Sequence, residues 1–160
     1  MRAAFFATFR LNKRGKKRRL VLPLPDEPVG IEAALPLVMA VLQDLIVYRL
    51  AEELRAYVTV LTDAPHAKRE VHLRDQIRSA AGSVAANIAE GYGRQRHAEF
   101  VRFVEYAQGS LRETETWLRD GAARGLWSTD ELEQCLKLCR RLTPALQNLR
   151  RYLKATKTPP

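Results

Sequence analysis

Apolar positions recur at helical spacing through four stretches of the chain, with polar residues filling the intervals. The first stretch covers roughly 42–62 and places Val47, Leu50, Ala51, Leu54, Val58 and Leu61 on one stripe, before Pro65 ends it. The second covers roughly 69–90 and carries Leu73, Ile77, Ala80, Ala81, Val84 and Ile88 inward. Gly91 and Gly93 follow, and they suit a left-handed C-terminal cap. The third covers roughly 96–123. Its stripe of Phe100, Phe103, Val104, Ala107, Leu111, Thr114 and Leu118 holds near one angle for about five turns, and Gly121 and Gly125 loosen its end. Ser128 or Thr129 then caps a fourth helix reaching about Ala155, with Asp130, Glu131 and Glu133 in its first turn, where the helix dipole favours acids. That helix turns inward Leu132, Cys135, Leu142, Leu146, Leu149 and Leu153, and Pro144 inside it predicts a kink. Four amphipathic helices with short connections predict an all-α fold, an antiparallel up-down-up-down four-helix bundle.

Residues 1–38 break this pattern. A basic cluster (Arg10, Lys13, Arg14, Lys16, Lys17, Arg18, Arg19) precedes Pro23, Pro25, Pro28 and Gly30, without helical period. The segment is expected to be a disordered extension or to lie upstream of a natural start at Met39, leaving 39–156 as the bundle and 157–160 as a tail. It also changes the reading of charge. The chain is 160 residues long, one domain by length, with a net charge of +9. Residues 1–38 hold eight Lys/Arg against three Asp/Glu, and 39–160 hold nineteen against fifteen, so the bundle itself is only +4. No apolar run approaches the ~20 residues that span a bilayer. The opening AAFFATF lacks the pattern of a secretory leader, and a cytoplasmic setting is expected. Cys135 and Cys139, one turn apart on an apolar stripe, read as reduced core residues and not as a disulfide or metal pair.

Three surfaces stand out on the helices. A polar seam flanks the apolar stripes, with Gln76, Ser83, Asn87 and Glu90 on the second helix and Glu99, Tyr106, Ser110, Glu113 and Trp117 on the third. It reads as an interhelical hydrogen-bond network or as a shared pocket, since polar groups beside a core need partners. Gly82, Ala85, Ala86 and Ala89 project from the second helix away from its core stripe. Small residues there permit close approach of another helix, which predicts self-association. The fourth helix carries Lys137, Arg140, Arg141, Arg150, Arg151, Lys154 and Lys157, of which Arg140, Arg151 and Lys154 fall within about one-fifth of a turn. Arg94, Arg96 and Arg102 form a second basic cluster. A phosphate-binding surface is one reading, and a solvated face with basic side chains covering apolar area is the other. No RNA-recognition motif, aromatic stacking platform or zinc finger accompanies it.

Catalytic chemistry finds little support. His66, His72 and His97 are scattered, no Glu-x-x-His pair exists for a di-iron site, and no phosphate-binding glycine loop or nucleophile elbow is present. No metal or cofactor is expected. An enzyme would need perturbed acids in a cavity, for which Glu90 and Glu113 are the candidates.

Three segments carry a family resemblance: Asp44, Leu45, Val47, Tyr48 and Ala51; Gln76-Ile77-Arg78 through Asn87-Ile88-Ala89-Glu90-Gly91-Tyr92-Gly93-Arg94; and Glu99-Phe100, Arg102-Phe103 and Gly109-Ser110-Leu111 with Glu113 and Glu115. In this order the chain resembles, over about 39–155, the four-helix-bundle proteins associated with intervening sequences in bacterial 23S ribosomal RNA genes. Ser79 and Thr114 depart from that pattern, where Arg and Leu are usual. The resemblance implies a left-handed bundle assembling as a ring-shaped homopentamer. It is also similar in architecture to the basic accessory proteins of diversity-generating retroelements. The resulting expectation is a non-catalytic homo-oligomer binding RNA or other nucleic acid through Arg94, Arg96, Arg102 and the fourth helix. The alternative is a scaffold binding a protein partner, such as a reverse transcriptase, without reading nucleic acid.

Overall fold

The computed structural model describes residues 8–11, 17–20, 42–65, 67–94 and 96–156. Helices α1 (Ile46–Asp63), α2 (Val71–Gly93), α3 (His97–Ala123) and α4 (Thr129–Ala155) pack together within one compact unit, Ile46–Thr158. Each helix lies against two others, α1 on α2, α2 on α3, α3 on α4 and α4 on α1, so the four close a cycle around a shared core. Two short strands, β1 (Thr8–Leu11) and β2 (Lys17–Leu20), belong to the other unit and pair antiparallel, Thr8 opposite Leu20 and Leu11 opposite Lys17. The expectations for the rest of 1–38, for Met39, for His66 and for 157–160 lie outside the described residues. No described helix is long and apolar enough to cross a membrane.

The apolar stripes do what their period requires. All six stripe residues of α1 and all six of α2 are buried. Leu54, Val58, Ile77, Ile88, Leu118, Leu142 and Leu146 are all but sealed from water, and burying a side chain of this kind stabilises the fold by about 1.5–3 kcal/mol. Among the third stripe's residues Phe103 is only half-buried, while Val101 takes a core place instead. In α4, Leu132 and Leu149 sit half-buried at the margin, and Leu136 and Leu138 join Cys135 and Cys139 inside.

The helix ends depart from the sequence reading in instructive ways. A 3-10 turn, Ala67–Arg69, occupies the expected start of α2, which begins at Val71. Its far end has no left-handed glycine cap. The helix continues through Gly91 to Gly93 and stops at Arg94, whose backbone is extended (φ −82°, ψ 134°). Gly91 is needed for space: a Cβ there would sit 2.7 Å from Phe103 Cβ and 2.9 Å from Phe100 Cε2. Gly121 likewise makes room, in its case for the Trp127 ring, whose Nε1 donates to the Leu118 carbonyl at 2.8 Å. The left-handed position falls at Gly125 (φ 72°), which turns the chain out of α3. Ser128 caps α4 in a reciprocal box: its Oγ accepts from the Glu131 N–H at 3.2 Å, and Glu131 Oε2 accepts from the Ser128 N–H at 2.7 Å. The helix runs on through Pro144 without interruption.

Polar fasteners lock neighbouring helices together. Arg78 of α2 reaches over the C-terminal end of α1, donating to Thr62 Oγ1 at 2.7 Å and to the Thr59 carbonyl at 3.2 Å, and pairing with Asp63 at 2.8 Å. The guanidinium holds the Asp63 carboxyl below the usual carboxylate range. It also places a positive charge at the C-terminal end of α1, where the helix dipole favours one. At the opposite side of the bundle, His97 Nδ1 donates to the Thr156 carbonyl at 3.0 Å, tying the start of α3 to the end of α4.

Candidate nucleic-acid interface

The corner between α2 and α3 gathers basic and aromatic side chains that lie apart in the sequence. Because α2 ends at Gly93 and α3 restarts at His97, the last turn of one helix faces the first turns of the other. Tyr92 meets Phe100 edge-on with ring centroids 6.3 Å apart, and Phe103 meets Tyr106 in the same way at 5.9 Å. The Arg94 guanidinium lies 5.3 Å from the centre of the Phe103 ring and also pairs with Glu90. One turn further along α3, Arg102 donates to the Tyr106 hydroxyl at 3.2 Å, an interaction that pushes the guanidinium pKa up. Arg96 is exposed at the head of α3. Tyr106 keeps half its surface in water. Arg94 thus covers the half-buried Phe103 ring and Arg102 holds the hydroxyl of the exposed Tyr106, and an exposed ring beside guanidiniums is the combination that base stacking uses. The arginines are legible in the sequence and the rings are not, because Phe103 falls on the core stripe and Tyr106 on the polar seam.

The basic face of α4 is more compensated than its sequence suggests. Arg140 pairs with Glu133 on its own helix, Arg141 lies 4.0 Å from Glu53 of α1, and Lys154 and Arg150 approach Glu105 of α3 at 3.5 and 3.4 Å. Arg151 donates to Asn148 at 2.7 Å. Lys137 is exposed. All these pairs sit at the surface, where each contributes roughly 0–1 kcal/mol and competes with salt.

The polar seam does not form a network between helices. Asn87 donates to the Ser83 carbonyl of its own helix at 2.8 Å, Thr114 to the Ser110 carbonyl at 2.8 Å, and Glu90 turns to Arg94. Among the described residues, no hydrogen bond joins Gln76, Ser83, Asn87 or Glu90 to Glu99, Tyr106, Ser110 or Glu113. Short side chains one turn from a helix carbonyl satisfy themselves locally. Trp117, the far end of the seam, instead meets His72 of α2 edge-on at 6.1 Å.

The small-residue face of α2 splits in two. Ala86 is exposed and Gly82 and Ala89 are half-covered, but Ala85 is buried at 4% exposure. Ala85 lies only about 100° from Val84 around the helix, and a neighbouring helix broad enough to cover Val84 reaches it too.

Cys135 and Cys139 are free, buried thiols. Burial pushes both up to about 12, with Glu131 adding to Cys135 and Glu115 to Cys139. They are inert core residues at neutral pH. Among the described residues no group of three His, Cys, Asp or Glu side chains is placed to hold a metal ion.

No curated protein matches the chain. The family model described as 23S rRNA-intervening sequence protein matches residues 43–148, two-thirds of the sequence and nearly all of the bundle, and the chain belongs to that family.

Proposed function

We propose that this protein is a non-catalytic RNA-binding protein that reads charge and exposed bases at the α2–α3 corner, with the basic side chains of α4 adding phosphate contacts. The observation that carries this reading is the convergence of Arg94 and Arg102 on the Phe103–Tyr106 ring pair. A bundle with a modest excess of positive charge draws limited affinity from phosphates alone, so a stacking ring beside two guanidiniums supplies what charge does not. In this reading the helices run antiparallel, up-down-up-down, and the chain assembles as a ring-shaped homopentamer. Gly82, Ala86 and Ala89 of α2 admit a neighbouring protomer. A ring would repeat the corner around its rim and convert weak single contacts into avidity.

The test is fluorescence anisotropy of a labelled stem-loop RNA against the full chain, from low to physiological salt, on protein whose mass is fixed by light scattering. Binding is expected to weaken steeply with salt. Replacing Arg94 and Arg102 by Gln should flatten the log–log slope by about 2, one unit for each lost phosphate contact. Tyr106→Leu should weaken binding about fivefold or more while leaving that slope alone, since a stacked base is worth ~1–3 kcal/mol. Absence of binding at low salt would overturn the reading and favour a scaffold for a protein partner. A monomer by light scattering would remove the ring.

A further inference from the structure

A second basic site lies on another side of the bundle. Between α3 and α4 runs a groove of about 520 Å³, within the ~300–1,000 Å³ typical of small-ligand sites. Leu111, buried at 2% exposure, and Thr143 form its floor. Arg112 enters from α3, and Arg150 and Arg151 enter from α4, against Glu115 as the sole acid of the lining. The three guanidiniums are poorly neutralised. Arg150 sits 3.4 Å from Glu105, but that carboxylate also serves Lys154 at 3.5 Å. Arg151 has only the neutral Asn148 amide. Among the described residues, no side chain pairs with Arg112. Like charges crowded into a concave site repel one another, and a bound anion converts that cost into attraction.

The remaining lining narrows the choice of anion. Gln108 and Gln147 bring side-chain amides that both donate and accept, and Glu115 accepts only. Sulfate or a bare carboxylate would leave these groups unused. A ribonucleotide uses all of them: its phosphate takes forked N–H donors from guanidinium, its ribose hydroxyls donate to a carboxylate, and its base edge meets amides. We propose that the α3–α4 groove binds the phosphate of a ribonucleotide, with Arg112 and Arg151 gripping the phosphate and Glu115 holding the ribose. The site is separate from the α2–α3 corner and stands or falls independently of RNA binding there, although Arg150 and Arg151 belong to the α4 face given phosphate contacts above. Two sources present this chemistry, a free mononucleotide and the 5′-phosphorylated end of an RNA strand.

The experiment is isothermal titration calorimetry of the full chain with 5′-AMP, adenosine and inorganic phosphate, followed by short RNAs with a 5′-phosphate or a 5′-hydroxyl. AMP is expected to bind at least tenfold more tightly than adenosine or phosphate alone. Arg112→Gln should abolish that preference while leaving the thermal melt in place. Arg94→Gln with Arg102→Gln should leave AMP binding intact, which separates failure of this site from failure of the corner. If a free nucleotide is the ligand, AMP binds and the two RNAs behave alike. If an RNA end is the ligand, the 5′-phosphate strengthens RNA binding in the native protein and not in Arg112→Gln. AMP and adenosine that bind equally, or an AMP affinity that Arg112→Gln leaves unchanged, would overturn the proposal unless the 5′-phosphate effect on RNA is itself lost in that variant.

Discussion

Helix α3 meets its two neighbours in opposite ways. Toward α2 it is closed: this is the most extensive helix contact in the bundle, and Gly91 lets the Phe100 ring and Phe103 lie against the α2 backbone. Toward α4 it encloses a groove of about 520 Å³ flanked by Arg112, Glu115, Arg150 and Arg151. Both sides rest on the same buried stripe, through Val104, Ala107, Leu111 and Leu118. The difference arises at the margins. Gly91 on α2 takes no side-chain space, so the helices come together until Phe100 and Phe103 touch the α2 backbone. Long polar side chains at the α3–α4 margin keep their charged ends in water and hold the upper part of the interface open. Core stripes decide which helices pack, and the flanking residues decide whether the seam above the core is dry.

The largest expected effect tests how dry the core is beneath the open side. Cys135 and Cys139 lie on α4, fully buried, with thiols pushed up to about 12 by that burial. A thiol whose folded pKa is raised stays neutral in the native state while the unfolded chain ionises. Its stabilisation is therefore intact below pH ~9 and drains away as pH rises from ~9 toward ~12. At about 1.36 kcal/mol per unit for each thiol, the pair should cost roughly 3 kcal/mol by pH ~10. Urea unfolding across pH 7 to 11 measures this, with Cys135→Ala/Cys139→Ala as reference. The double variant should start less stable because of the cavities it opens, yet lose less on going alkaline. Parallel pH curves for the two proteins would mean that water reaches the thiols in the native state.

A smaller effect breaks the closed side. Gly91→Ala puts a methyl group 2.7 Å from Phe103 Cβ, an atom fixed to the α3 backbone that no rotamer change can move aside. Alanine's better helix propensity returns up to ~1 kcal/mol, but overpacking a tight contact costs about 1–3 kcal/mol. The net change should be destabilising, read as a lower midpoint in thermal unfolding followed by circular dichroism. A melt equal to the native protein's would show that α2 and α3 can slide apart without loss.

How much of this was legible beforehand follows the same division. The stripes of α1 and α2 were readable residue by residue, since a 3.6 period with one apolar face has a single way to bury itself. Ser128 and its acidic first turn located the start of α4 for equally local reasons. Features that depend on a distant partner were misread. Gly91 and Gly93 looked like a cap because two glycines after a helix usually are one, and only the position of Phe100 and Phe103 shows that Gly91 makes room for rings. Trp127 escaped notice as core because its seat is a gap at Gly121, six residues earlier. The seam was overread: polar residues at helical spacing imply a shared network only if they cannot reach their own helix's carbonyls, and Asn87 can. The α2–α3 basic cluster was visible as charge, whereas its rings and the α3–α4 groove, with Arg112 in it, emerged only from packing.

The smallest expected effect concerns a glycine that the isolated chain does not explain. Gly109 lies in the interior of α3, beside Gln108 of the groove, and a Cβ built there meets nothing within 4 Å. Glycine inside a helix costs about 0.5–1 kcal/mol relative to alanine through its conformational freedom, and no contact within the protomer repays that cost. Gly109→Ala should therefore stabilise the chain by about that amount, raising the melting midpoint by a few degrees for a domain of this size. The sign of the change is the informative part. If alanine stabilises the protein at every concentration, the α3 surface at Gly109 faces water. If it destabilises, and the loss grows as the protein is concentrated, a second protomer packs against that surface. The assembly proposed above would then use α3 in addition to the small-residue face of α2.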